Sequence, residues 1–415
     1  MDGAASQILR TAVAGLEWTA SGRSLDDFLD RQVRHEHLRS AAGFILFCFF
    51  RRKKVLDGLL ADLMKRKPER NVLFVLEIAA VQIFYSTGIR GESAVNVAVA
   101  FCRERFGKYT AGFVNAVLRK LTAMNPPDEK TPEQVLPDAL CRHWREIFPE
   151  KTVAELAEVF LETPESTMRF TAPGVPGEAE LTRLGAEILE TPFPECKFAF
   201  YRVRDPGRVL RSPEWAAGRW YMQDPATAAA VSIADFSCVK RVLDVCAAPG
   251  GKSLMMAEKL PPGGILVASD RSRSRQKKTR ENFLRRNWDF PTPVAASPEE
   301  LPEHCRDFDL VLADVPCSNT GVFRHRPDVL WRWTDRTAED LADLQKSLLN
   351  GAARRVKRGG RLLYSTCSIE PAENALRCDG FQREHPEFVT LGEIALLPDS
   401  AHDGAYARLM VKKGG

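Results

Sequence analysis

The sequence predicts a multidomain protein: an all-α N-terminal domain, a small α/β linking module, and an α/β domain on a doubly wound parallel sheet. Three observations predict it. Through residue 125 apolar residues recur at helical spacing, with few glycines or prolines between them. From Met222 short apolar runs alternate with helical segments. A proline-bearing stretch separates the two patterns. The chain has 415 residues, room for two or three domains at ~100–200 residues each. The expected boundaries are 1–125, 126–220 and 221–415.

The helical reading of the first block rests on sets such as Val72, Leu73, Leu76, Ala79, Ala80 and Ile83, or Phe113, Ala116, Val117 and Leu121. Asn125-Pro126-Pro127 closes it, and Pro132 and Pro137 mark a linker. From about Leu140 to Gly218 acidic helical stretches at Val153–Leu161 and Glu178–Glu190 flank short apolar runs. The clearest strands follow: Arg241-Val-Leu-Asp-Val, Gly264-Ile-Leu-Val-Ala-Ser-Asp, Phe308-Asp-Leu-Val-Leu-Ala-Asp and Gly360-Arg-Leu-Leu-Tyr-Ser-Thr. Strands alternating with helices imply a parallel sheet with ligands at the strands' carboxyl ends.

Composition narrows the function classes. With 44% hydrophobic and 27% charged residues, fibrous, collagen-like and wholly disordered readings are excluded. The longest apolar run, Ala41 to Phe50, falls short of the ~20 residues of a membrane span. The first thirty residues show no signal-peptide pattern, so the expected compartment is the cytoplasm. Ten scattered cysteines with no CxxC pair indicate neither a disulfide framework nor a zinc site, and no metal is expected. The net charge of +4 is uneven: Arg39 to Lys120 carries 15 Lys/Arg against 6 Asp/Glu, or +9. That segment reads either as a surface for a polyanion or as a solvated helical face.

The first strand runs into Cys246-Ala247-Ala248-Pro249-Gly250-Gly251-Lys252, followed by a helix. Small residues let the backbone approach a ligand, and helix amides favour a polar or anionic group. The spacing fits neither GxGxxG nor a P-loop. Asp270, at the end of the second strand, is placed to accept from ribose hydroxyls. Together they suggest a cofactor containing a nucleoside; a tight turn beside a surface acid is the plainer alternative. Two further strands end in Asp314-Val-Pro-Cys317-Ser-Asn-Thr-Gly321 and Tyr364-Ser-Thr-Cys367-Ser. Either cysteine alone would read as a packed thiol. Both at strand ends beside Asp314 suggest thiol chemistry on a substrate next to the cofactor. Methylation of a pyrimidine at carbon 5 needs such a set, because that carbon is a poor nucleophile until a thiolate adds to carbon 6.

VLDVCAAPGGKS, DVPCSNTGVFRHRPDVLWR and YSTCSIEPAEN resemble the motifs of the Nop2/Sun family of RNA (cytosine-5) methyltransferases, over roughly Tyr221 to Lys412. The segment from Leu38 through GFVNAVLR at 112–119 is similar to a NusB-like RNA-binding domain, a combination found in the Sun-type enzymes of small-subunit (16S) rRNA. The resemblance implies an all-helical NusB-like domain, a small α/β module and a Rossmann-like class I methyltransferase domain. It implies S-adenosylmethionine as cofactor, held by Cys246–Lys252, Asp270 and Asp314. It makes Cys367 the nucleophile, sets Asp314 between cofactor and cytosine, and gives Cys317 a part in product release. The implied partner is RNA, specifically small-subunit rRNA, bound by a monomer. The family's acid near the adenine is replaced here by Ala295-Ala296-Ser297-Pro298, where Ser297 or Glu299 could substitute.

Arg271 to Arg286 holds eight basic residues and one acid, readable as a solvated helix start or as phosphate contacts. Arg324-His325-Arg326-Pro-Asp328 follows the cysteine motif and is the better RNA candidate. Trp331 and Trp333 could stack on bases, although core packing suits at least one of them. His35 and His37 read as surface residues. Two rival functions remain at this stage: a non-catalytic RNA-binding factor, and the same enzyme acting on tRNA.

Overall fold

The computed structural model describes residues 3–414 except 87, 130, 191, 287, 289–291, 295 and 304. The chain forms two compact units, Met1–Glu162 with Phe323–Thr334, and Thr163–Val322 with Asp335–Gly415.

The first unit is helical. It begins with α1 (Gly3–Thr19), α2 (Leu25–Gln32), α3 (Glu36–Leu63), α4 (Arg70–Tyr85), α5 (Gly91–Phe106) and α6 (Lys108–Leu121). Helix α4 is buried along most of its length because its neighbours surround it: Val72, Val75, Leu76 and Ile78 through Val81 are all buried. Even Glu77 is buried there, and burial pushes its carboxyl up to about 8. No described helix is long and apolar enough to cross a membrane. The chain reverses between α5 and α6 through Gly107 at φ +88°, a conformation that costs glycine least.

Residues 323–334 belong to this unit. Phe323 is fully buried against Trp144 and Phe160, with ring centroids 6.1 and 5.8 Å away. The Trp331 indole donates to the Phe50 carbonyl at 2.7 Å, and Trp333 stacks on His143 at 4.7 Å. Buried Asp328 accepts from the Leu25 amide at 3.2 Å and pairs with Arg332 at 3.0 Å. Both tryptophans are therefore packed, which overturns base stacking as their role in this arrangement.

The basic run in α3 is likewise engaged inside the unit. Arg51 is buried and donates to the carbonyls of Glu162 (3.0 Å) and Arg324. Arg52 pairs with Glu129 at 3.5 Å, Lys53 with Asp57, and Lys54 donates to the Leu136 carbonyl at 3.0 Å. Part of the +9 segment thus ties helices together, a use the two sequence readings did not include. His35 and His37 are exposed, as expected.

The second unit opens with an antiparallel sheet, in spatial order β2-β3-β1-β4. Its strands are β1 (Ser166–Phe170), β2 (Ala186–Leu189), β3 (Phe200–Val203) and β4 (Trp220–Met222). The stretch Glu178–Glu190, read from sequence as one helix, is a helix only to Leu184. Gly185, left-handed at φ +63°, ends it, and β2 begins at the next residue.

A seven-stranded sheet follows, in order β10-β11-β9-β8-β5-β6-β7. Its strands are β5 (Arg241–Asp244), β6 (Ile265–Ser269), β7 (Thr292–Val294), β8 (Phe308–Asp314), β9 (Val356–Thr366), β10 (Phe388–Leu396) and β11 (Ala405–Lys412). Strands β5 to β9 are parallel, whereas β11 runs antiparallel to both β9 and β10. The parallel sheet expected from the strand–helix alternation holds for β5 to β9, and β11 makes the whole a mixed one. Residues 397–404 are too few for the crossover that a parallel return requires. Strand order reverses between β5 and β8, and a ligand site in such a sheet lies outside the carboxyl ends at that switch point.

Candidate active site

Strand β5 ends at Asp244, and residues 246–250 carry the chain into a helix at Gly251–Ala257. The loop is pinned to β6: the Ala247 amide donates to the Ser269 carbonyl at 2.9 Å. Gly250 adopts φ +102°, and a Cβ there would lie 2.7 Å from Cγ2 and 3.3 Å from Cα of Thr279. From the sequence, this glycine is expected to make room for a ligand. The structure shows it making room for the helix Arg273–Leu284. Gly250→Val should therefore lower the melting temperature by several degrees as well as weaken cofactor binding, measured by thermal unfolding and calorimetry; an unchanged melting temperature would contradict the packing argument.

Asp270 is 5% exposed. Its carboxylate accepts from the Ser272 amide at 2.8 Å and the Ala248 amide at 3.3 Å, while Arg275 donates to the Ala248 carbonyl at 2.6 Å. Two amides leave lone pairs free on a carboxylate with about four acceptor positions. A ribose diol fits that remaining capacity. Asp244, given no role from the sequence, is buried beneath the loop; Ser253 donates to it at 2.6 Å, and burial pushes it up to about 7. Its signal was the acid closing the strand that leads into the glycine loop.

Lys252 was expected among the cofactor residues. Its ammonium pairs with Asp314, also expected there, at the end of β8, at 2.8 Å. Burial works to lower the Lys252 pKa, but the Asp314 carboxylate prevails and holds it above its ordinary value, with a contribution from Cys367. Beyond Asp314 the chain turns, and Cys317 meets Cys367, just past the end of β9, with their sulfurs 3.4 Å apart. The Cys367 sulfur, then burial, push the Cys317 thiol well above its usual range. Burial does the same to Cys246.

Asn319 joins the pair. At φ +61° its side chain accepts from the Cys367 thiol at 3.2 Å and donates to the Cys317 carbonyl at 2.8 Å. Sequence reading passed over it, although asparagine is enriched in that left-handed conformation. Gly321 closes the turn. Its amide donates to the Cys367 carbonyl at 3.0 Å, and a Cβ would sit 2.7 Å from that oxygen.

Other candidates lie elsewhere or have other partners. Glu299 is exposed, accepts from Ser347 at 2.8 Å and lies against Gly351. Ser297 is half-buried, and Ala295 lies outside the described residues. Within Arg271–Arg286, Arg286 is buried against Glu258 and Arg285 stacks on Trp215 at 3.8 Å, whereas Arg271, Arg273, Lys277 and Arg280 are exposed. Arg326 pairs with Asp26 at 2.6 Å and Arg324 is buried, both within the helical unit.

A seven-stranded sheet of this order, with a small-residue loop and a strand-end acid at its switch point, defines a methyltransferase that uses S-adenosylmethionine. Residues 235–403 match the family described as 16S rRNA methyltransferase RsmB/F, and residues 3–123 match the NusB family. The probable ribosomal RNA small subunit methyltransferase B of Synechocystis sp. is 26% identical to this chain, over 89% of it and 90% of the relative. The ribosomal RNA small subunit methyltransferase B of Vibrio cholerae is 28% identical over 94% of each. The crystal structure of PH0851 shares the fold with a TM-score of 0.79 at 22% identity, over 98% of both chains. That of NSun6 from Pyrococcus horikoshii with SFG has a TM-score of 0.59 at 18% identity, over 67% of this chain and 99% of its own. Residues 235–403 thus match an RsmB/F-type methyltransferase domain, and residues 3–123 a NusB-family domain.

Proposed function

We propose that the protein methylates carbon 5 of a cytosine in small-subunit rRNA through a covalent bond between Cys367 and carbon 6. The observation that carries this reading is the pair of sulfurs 3.4 Å apart beside the Lys252–Asp314 ion pair. S-adenosylmethionine supplies an electrophilic methyl group. Residues of the 246–250 loop and Asp270 would hold its nucleoside end. The target base must leave its stack to be reached. Cys367 then adds to carbon 6, the ring electrons move toward carbon 5, and the ring's polar edge gains a proton or hydrogen bonds from the Lys252–Asp314 pair. After transfer, carbon 5 carries both a proton and the new methyl. Cys317 serves the removal of that proton, which restores the double bond and expels Cys367. The names of the relatives support rRNA as substrate. The two cysteines paired at adjacent strand ends speak against a purely RNA-binding role.

Bisulfite mapping of rRNA from a strain lacking this gene, beside its parent, tests the whole reading. Loss of one cytosine signal in small-subunit rRNA is expected; an unchanged map would remove the rRNA assignment. Asp270→Ala should cost about 1.5–3 kcal/mol of cofactor binding, or roughly 10–150-fold in Kd. Calorimetry giving the parent's Kd would remove Asp270 from the site. For RNA capture the proposed contacts include Lys108 and Lys120, exposed on α6. Their joint replacement by glutamate should weaken RNA binding and flatten its salt dependence; an unchanged slope of log K against log salt would exclude them.

A further inference from the structure

Glu373 lies in the loop after β9, six residues beyond Cys367, and is 3% exposed. Three donors converge on its carboxylate: the Ser318 amide at 2.9 Å, the Ser318 hydroxyl, and the Gln345 side chain at 2.9 Å. Buried Gln345 also donates to the Pro316 carbonyl at 3.0 Å. Pro316 and Ser318 are the two peptide neighbours of Cys317. The Glu373–Gln345 pair therefore grips the backbone on both sides of that cysteine. The Glu373 carbonyl accepts from the Tyr364 hydroxyl at 2.7 Å, which anchors the grip to β9, the strand leading to Cys367. Both carboxylate oxygens face donors, an arrangement that two acceptor oxygens serve and a side-chain amide, with one, does not.

We propose that Glu373 is a positioning residue for the second half of the reaction: it fixes Cys317 opposite Cys367 and keeps the two sulfurs in different roles. Its negative charge opposes a thiolate on Cys317, adding to the larger effects of the neighbouring sulfur and of burial, while the Asn319 backbone acts the other way. The Lys252 ammonium, by contrast, is paired with Asp314 and under the influence of Cys367. One sulfur is thus biased toward keeping its proton and the other lies near a cation.

The kinetic half of the test rests on the covalent cytosine reading above; the chemical half does not. Glu373→Gln is nearly isosteric but loses the charge and one acceptor oxygen. Turnover should fall about 10–100-fold, the cost of a small misplacement, with the Kd for S-adenosylmethionine unchanged and a covalent protein–RNA band accumulating. In RNA-free protein at mildly alkaline pH, iodoacetamide should alkylate Cys317 at least about threefold faster than in the parent, read by peptide mass. Gln345→Leu, which releases the Pro316 side alone, should move both readouts the same way by less. An unchanged alkylation rate in Glu373→Gln overturns the proposal whatever the RNA assay gives, and so does unchanged turnover. If Cys317→Ala itself traps no RNA, the covalent reading fails, and the alkylation rate then decides the part played by Glu373.

Discussion

Cys317→Ala protein incubated with RNA and S-adenosylmethionine should yield a covalent protein–RNA species, retarded on a denaturing gel, while Cys367→Ala should yield none and transfer no methyl. The two variants separate steps that the geometry brings within 3.4 Å. The attacking sulfur must be largely thiolate, which nearby positive charge favours. Cys367 has the Lys252 ammonium close enough to raise that lysine's pKa. Cys317 is buried with its thiol held well above the ordinary range, a poor attacker whose part in release is to organise the step rather than to open it as a nucleophile. Without it the adduct has no route to collapse. Two inert packed thiols would give modest stability losses and no adduct in either variant. An adduct in Cys367→Ala rather than Cys317→Ala would reverse the assignment.

Lys252→Met should lower kcat by about 10²–10³-fold, the range for removing one preorganised donor from a desolvated site, while leaving cofactor affinity within about threefold. The variant strips Asp314 of its partner at 2.8 Å. An acid at the ring edge then meets developing negative charge with no cation beside it. The sequence motif had grouped Lys252 with the cofactor loop, and that reading forecasts the opposite pattern. A tenfold weaker Kd with kcat unchanged would restore the lysine to the cofactor.

What could be read from residues alone was local or strand-ended. Helical spacing exposed α4 and α6, because a 3.6-residue period survives without knowledge of neighbours. The loop at 246–252 and the acid at 270 were legible because small residues and an acid after apolar runs have few other uses. Partnerships across the sheet were not legible. Lys252 with Asp314, or Glu373 with Ser318, depend on which strands lie side by side. The antiparallel direction of β11 was not legible, because an apolar pattern carries no direction. The tryptophans misled because a surface-stacking aromatic and a packed one look alike until the indole's acceptor, here the Phe50 carbonyl, is known.

Residues 323–334 have a topological consequence. They begin one residue after Val322 and two after Gly321, whose amide holds the Cys367 carbonyl, yet their side chains complete the helical unit. The chain passes between its two units at 162/163, 322/323 and 334/335. The helical unit is consequently no detachable cassette. A fragment cut at Glu162 would keep Trp144 and Phe160 but lose Phe323 and Trp331, leaving an aromatic-sized hole where losing one such side chain costs about 3–5 kcal/mol. Grafting this unit onto another catalytic domain would require transplanting the dozen residues that interrupt the cysteine-bearing one.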